Sequence, residues 1–165
     1  MILWQMIGFI FVGIAGTLLH FLYDWTGGSV AASLFSAVNE SIWEHMKLLL
    51  YPAVAFSVWE YCKWGKDRRD FWYIKLTGIL LGLVLIPTVY YTYTGALGVF
   101  WDWFNVTIFF LAAGAMLWLE TRLFKSNKMC SGPTWLPVAA LVLIGAAFTF
   151  FTFFPPAIPL FTPPT

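Results

Sequence analysis

The run Asn39-Glu40-Ser41-Ile42-Trp43-Glu44-His45-Met46-Lys47 sets two carboxylates, an imidazole and an ammonium group directly before the apolar segment Leu48 to Trp59. Ionisable groups at or inside a bilayer cost about 2.5 to 3.5 kcal/mol each on insertion scales, so such a cluster is a candidate site. If the run is helical, a step of about 100° per residue puts Glu40, Glu44 and Lys47 on one face with Trp43 alongside. Ser41 and His45 then lie about 100° round from Glu44. Several chemistries fit these types. Glu44 or His45 could act as a base beside Ser41 or water as nucleophile. His20 and His45 with Glu44, or with Asp24 or Glu40, resemble the donor set of a two-histidine, carboxylate site for a divalent metal. Glu44 and His45 are adjacent, so both reach one ion only with a local distortion. Without a metal, the same residues form a buried hydrogen-bond network. Glu40, Glu44 and Lys47 would set charge selectivity for a ligand, and Trp43 would stack on it. The pair Glu40 and Glu44 is the one expected to matter most for function, with Glu44→Gln removing binding while the protein still folds.

The elements that position these groups follow from composition. A chain of 165 residues that is 61% hydrophobic and only 10% charged cannot hide its apolar groups in one soluble core. Long apolar stretches without strand-like alternation predict an all-α integral membrane bundle, since helices satisfy their own backbone in lipid. About five spans are expected, over residues 2–23, 46–64, 71–93, 103–120 and 136–154, followed by a proline-rich tail over 155–165. The first lacks a basic leader and a small-residue cleavage site, and reads as a retained span. Gly27-Gly28 ends it. A single helix from Ser29 to Trp64 would be about 54 Å long, so the second segment is expected to be kinked near Pro52 or re-entrant over Ser29 to Lys47.

Lys63, Lys66, Arg68 and Arg69, and then Arg122, Lys125 and Lys128, mark two cytoplasmic loops, which sets the N-terminus inside and the C-terminus outside. His20, Asp24, the Asn39 to Lys47 run, Asp102 and Asn105 then converge on the extracytoplasmic half. Along the first span Gly13, Gly16, Thr17, His20 and Asp24 share a face, the glycines serving close helix packing. Asp102 reads as an N-cap and Asn105 as a cross-helix hydrogen-bonding group. Glu60 and Glu120 read as structural, neutralised by Lys63 and Arg122. Tyr90, Tyr91 and Tyr93 read as an aromatic belt. A net charge of +1 leaves no basic face for nucleic acid. Cys62 and Cys130 suggest neither a disulfide framework nor a zinc site.

Val38-Asn-Glu-Ser-Ile-Trp-Glu-His45 with Met46-Lys-Leu, and His20 to Asp24 upstream, resembles a family of small uncharacterised bacterial membrane proteins defined by a domain of unknown function. That resemblance implies no activity. Size, span number and Pro133-Thr-Trp135-Leu-Pro137 are similar to the tryptophan-rich sensory proteins. The histidine and aspartate content is similar to lipid-modifying hydrolases related to alkaline ceramidase, whose zinc site uses one more histidine than this chain has. The expected function is binding or transport of a small polar or amphiphilic ligand in a pocket of His20, Asp24, Asn39, Glu40, Trp43, Glu44, His45, Lys47 and Asn105. The alternatives are a membrane-embedded hydrolase or transferase acting on a lipid, with Glu44, His45 and Ser41 as its catalytic groups, or a small subunit of a membrane complex. The bilayer is the expected partner, and oligomeric state is open.

Overall fold

A computed structural model describes residues 2–126, 129 and 132–163. The expectations that rest on Lys128, Cys130, Pro164 and the Asp102 side chain lie outside what is described. The elements are α1 (Ile2–Trp25), α2 (Val30–Ser33), α3 (Ile42–Lys63), α4 (Phe71–Leu97), α5 (Asp102–Ser126) and α6 (Trp135–Phe153), with short 3-10 turns at Gly65–Asp67 and Pro159–Phe161. No strand occurs among the described residues.

Four helices, Leu3–Trp25, Phe71–Leu97, Trp103–Ser126 and Trp135–Phe153, are long and apolar enough to cross a membrane. Their outer faces carry exposed Ile10, Ile14, Val84, Leu111, Val142 and Leu143. Water would penalise apolar surface on that scale, whereas lipid does not, which fits a membrane protein. Helix α3, 22 residues long, differs in placing three charged groups inside, Glu44, Lys47 and Glu60, where α4 buries Lys75 and α5 buries Glu120. It packs against α1, α4 and α6, and α4 lies along α5.

The second segment departs from expectation. In place of a helix over 29–47, the chain makes one four-residue turn of helix and then runs irregularly until Ile42. Side chains explain the break, because polar groups near a helix start offer the backbone non-helical partners. The Asn39 Oδ1 accepts the Ser41 N–H at 2.9 Å. Ser41 Oγ accepts the Glu44 N–H at 3.4 Å and caps α3. Ser41-x-x-Glu44 is a capping-box pattern, but the Glu44 carboxylate reaches further back, to the Val38 N–H at 3.0 Å.

Helical structure continues through Pro52. Proline lacks the N–H that the Leu48 carbonyl would have accepted. That carbonyl lies against Gly16 of α1, where a Cβ would sit 2.8 Å from it and 2.6 Å from Phe109. Gly16→Ala is therefore expected to destabilise the bundle by about 1–3 kcal/mol, because backbone cannot yield as a side chain can. Gly95→Ala, whose Cβ would meet nothing within 4 Å, is the control and should be neutral or stabilising. Thermal unfolding in detergent compares the two.

Candidate functional site

The segment that carries Asn39 and Glu40 is fastened at both flanks. Helix α1 closes with Gly27 and Gly28 at φ of 64° and 78°, the Gly28 N–H reaching the Tyr23 carbonyl at 2.9 Å. Positive φ there suits glycine and turns the chain back. Ser36 then clips the returning segment to α1, its hydroxyl donating to the Leu19 carbonyl and accepting the Tyr23 N–H.

On the α6 side, Lys47 and Glu44 form a buried pair at 2.6 Å with side-chain exposures of 0% and 3%. Lys47 also donates to the Ser33 carbonyl and to Thr152 Oγ1, at 2.9 and 3.0 Å. Glu44 accepts the Val38 N–H and the Thr152 hydroxyl, at 3.0 and 2.8 Å. A buried pair is tolerated when its remaining donors and acceptors are satisfied in this way.

His20, Glu40 and His45 form a separate cluster. The His45 Nδ1 lies 2.9 Å from the Ser41 carbonyl. A carbonyl only accepts, so Nδ1 carries a proton, and the lone pair of neutral His45 is on Nε2. That nitrogen is 3.3 Å from Glu40 Oε2, and the His20 Nε2 is 3.8 Å from the same oxygen. The two rings stand 5.2 Å apart. When His45 carries a proton on both nitrogens, its Nε2–H donates to Glu40 and holds that carboxyl below the usual carboxylate range; partial desolvation opposes this, and the charges of His45 and His20 assist it.

One ligand atom from each residue lies within 4.8 Å of the others. Two imidazoles and one carboxylate suit a zinc-like or ferrous ion with open positions. The Ser41 carbonyl supplies the outer hydrogen bond that fixes a ligating imidazole.

A cavity of about 310 Å³ opens beside the cluster, walled by Glu40, His45, Tyr90, Asn105 and Phe109 among mostly apolar neighbours. A smaller one, about 140 Å³, shares His45, Asn105 and Phe109 and adds His20 and Thr17. The side-chain Oδ1 of Asn105 accepts the Tyr93 hydroxyl at 2.7 Å, a bond between α4 and α5 that holds the amide at the wall.

Of the residues singled out from sequence, His20, Glu40, His45 and Asn105 meet at these cavities. Asn39, Ser41, Glu44 and Lys47 instead make the bonds that shape and fasten the segment. Trp43 stacks on Phe148 at 4.1 Å and contacts Phe161, on the α6 side. Asp24 is exposed at the end of α1 and lines neither cavity. Sequence reasoning missed Tyr90, Phe100 and Phe109 as walls and Thr152 as partner of the buried pair. Glu60 and Glu120 both pair with Lys75, not with Lys63 and Arg122. Arg122 lies over the Trp118 ring instead. The signal was available: Lys75 is the only charged residue within α4.

Fold and site together define an all-helical bundle with helices able to cross a membrane and a histidine–carboxylate cluster at one end. The chain belongs to DUF6512, a family of unknown function, whose profile matches residues 2–164. No curated protein and no solved structure matches it.

Proposed function

We propose that this is a membrane-embedded binding protein whose cavity takes a small amphiphilic ligand, held at its polar end by a divalent metal ion on His20, Glu40 and His45. Helix α3 serves as a further span beside the four more apolar ones, giving about five crossings. The basic loops around Lys63 to Arg69 and Arg122 to Lys125 face the cytoplasm, so the cluster lies in the extracytoplasmic half.

The observation that carries this reading is the shared target of the two imidazoles. With Nδ1 of His45 bound to a carbonyl, neutral His45 directs its Nε2 lone pair at a carboxylate oxygen. Lone pairs face each other there unless a proton or a cation lies between them. A second imidazole directed at the same oxygen favours a cation. The apolar walls beside it suit a hydrocarbon portion, with the open metal positions taking a head such as a carboxylate. A lipid hydrolase draws less support, because two of the three groups it would use, Ser41 and Glu44, are occupied in a helix cap and an ion pair, which leaves His45 alone with water.

Calorimetric titration of zinc into the detergent-purified protein tests the reading. Wild type should bind stoichiometrically, and His45→Ala and His20→Ala should each weaken binding by at least about tenfold. A fluorescent fatty acid should then bind more tightly with zinc than without. Zinc binding unchanged in both variants would sink the proposal.

A further inference from the structure

At the other end of α3 a second set of buried charges takes no part in the cavity. Glu60 of α3, Lys75 of α4 and Glu120 of α5 meet with side-chain exposures of 0%, 1% and 1%. The Lys75 ammonium contacts Glu60 Oε2 and donates to Glu120 Oε2 at 2.6 Å. The rings of Phe56, Phe71 and Phe124 stand 5.9, 5.7 and 5.7 Å from it. Two carboxylates and one ammonium leave one net negative charge in an aromatic shell, where an uncompensated charge is far costlier than a neutral group.

Among the described residues, the neighbouring elements bring no second cation to the group. Lys63, Lys66, Arg69, Arg122 and Lys125 are exposed, as is Asp67. Arg68 is held by Asp70 at 2.7 Å and donates to the Phe124 carbonyl. Helix α6 contains no charged residue, and the one charge on α1, Asp24, is at the opposite end. The buried polar side chain of α1, Gln5, is neutral. Glu60 adds an independent observation: both its carboxyl oxygens are buried without a hydrogen-bond partner among the described residues, and only Oε2 has the Lys75 ammonium beside it. An orphaned oxygen on an ionised carboxylate forfeits much more than one on a neutral acid.

The geometry points to a proton-binding site at Glu60–Lys75–Glu120, with one proton held on Glu60 at neutral pH while Lys75 and Glu120 stay paired as ions. The proton resides on Oε1, and Oε2 faces the Lys75 ammonium. The group is then neutral as a whole. Removing either carboxylate leaves one carboxylate and one ammonium, which are neutral without the proton.

Infrared spectroscopy of the full chain in detergent reads this directly. At neutral pH the wild type should show a carboxylic-acid carbonyl band that is slow to shift in heavy water. Glu60→Gln and Glu120→Gln should each abolish it, because the surviving carboxylate ionises against Lys75. The folded protein then holds a proton that the unfolded chain lacks, so wild-type stability should fall with rising pH, by up to about tenfold in the folding constant per unit, above the ordinary glutamate value near 4.3. Both variants should flatten that slope. If Glu60→Gln does not fold, Glu120→Gln gives the same readout, and the wild-type band stands as a test without either. Absence of the band in wild type at neutral pH, or its survival in both variants, overturns the proposal. So does a sodium-dependent rise in Tm without the band, which would assign the site to a metal cation. The infrared band and its loss in the two variants do not depend on the histidine cluster.

Discussion

Lys47→Met is expected to cost the fold about 3–5 kcal/mol, the usual effect of leaving one member of a buried ion pair without its partner. Glu44 would keep its bonds to Val38 and Thr152, but its charge would lack the ammonium 2.6 Å away. The Ser33 carbonyl and Thr152 would lose a donor as well. The combined variant Lys47→Met with Glu44→Gln should recover a large part of the loss, because the amide keeps the side-chain length and no buried charge remains. Thermal unfolding in detergent measures both. The loss should extend to the cluster, since Ser33 and Val38 fasten the segment that carries Glu40. A single variant as stable as wild type would show that the pair does not hold this segment. On these contacts Glu44→Gln is expected to weaken the fold, in contrast to the sequence expectation that it removes binding alone.

That difference has a definite physical origin. The wheel that placed Glu40 with Glu44 assumed a helix running through both. Helix α3 starts at Ile42, so Glu40 leaves the helical register and crosses to the face of His45, where His20 also arrives. The grouping of His20 with His45 was an expectation of the sequence, where reading the two basic loops onto one side puts both histidines toward the other; their rings stand 5.2 Å apart. The division of the polar run into a fastening pair and a histidine cluster was not, since it depends on where a cap interrupts the helix.

The cavity walls were hidden for another reason. A membrane helix is apolar toward lipid and toward its neighbours alike, so periodicity does not tell Phe109, at the cavity, from Leu111, exposed at 59%. Lys75, the single charge in an apolar segment, was passed over because its partners lie on α3 and α5, 15 and 45 positions away, while Lys63 and Arg122 stand nearer in sequence.

Zinc affinity is expected to collapse in acid, with a limiting slope of about two log units per pH unit, since each bound ion displaces a proton from each of two imidazoles. Glu40 sets the window for that measurement. Its carboxyl is held below the usual range by the His45 hydrogen bond, so it is ionised at every pH above the ordinary value near 4.3 and adds no proton to the slope there. The sign for the metal-free protein is the reverse of a histidine effect. A lowered carboxyl contributes stability that is fully present above its unfolded value and lost only as pH falls through the lower folded one. Between neutral pH and about pH 5 the slope therefore reports the histidines alone. His20→Ala should bind zinc more weakly and reduce the slope to about one, because a single imidazole remains to compete with protons. Glu40→Gln should weaken binding while keeping the slope near two, because it removes a ligand that carries no proton in this window. Competition titrations with a zinc indicator at several pH values give all three slopes. A slope near one in wild type, unchanged by His20→Ala, would leave His45 as the only histidine on the metal and would remove α1 from the site.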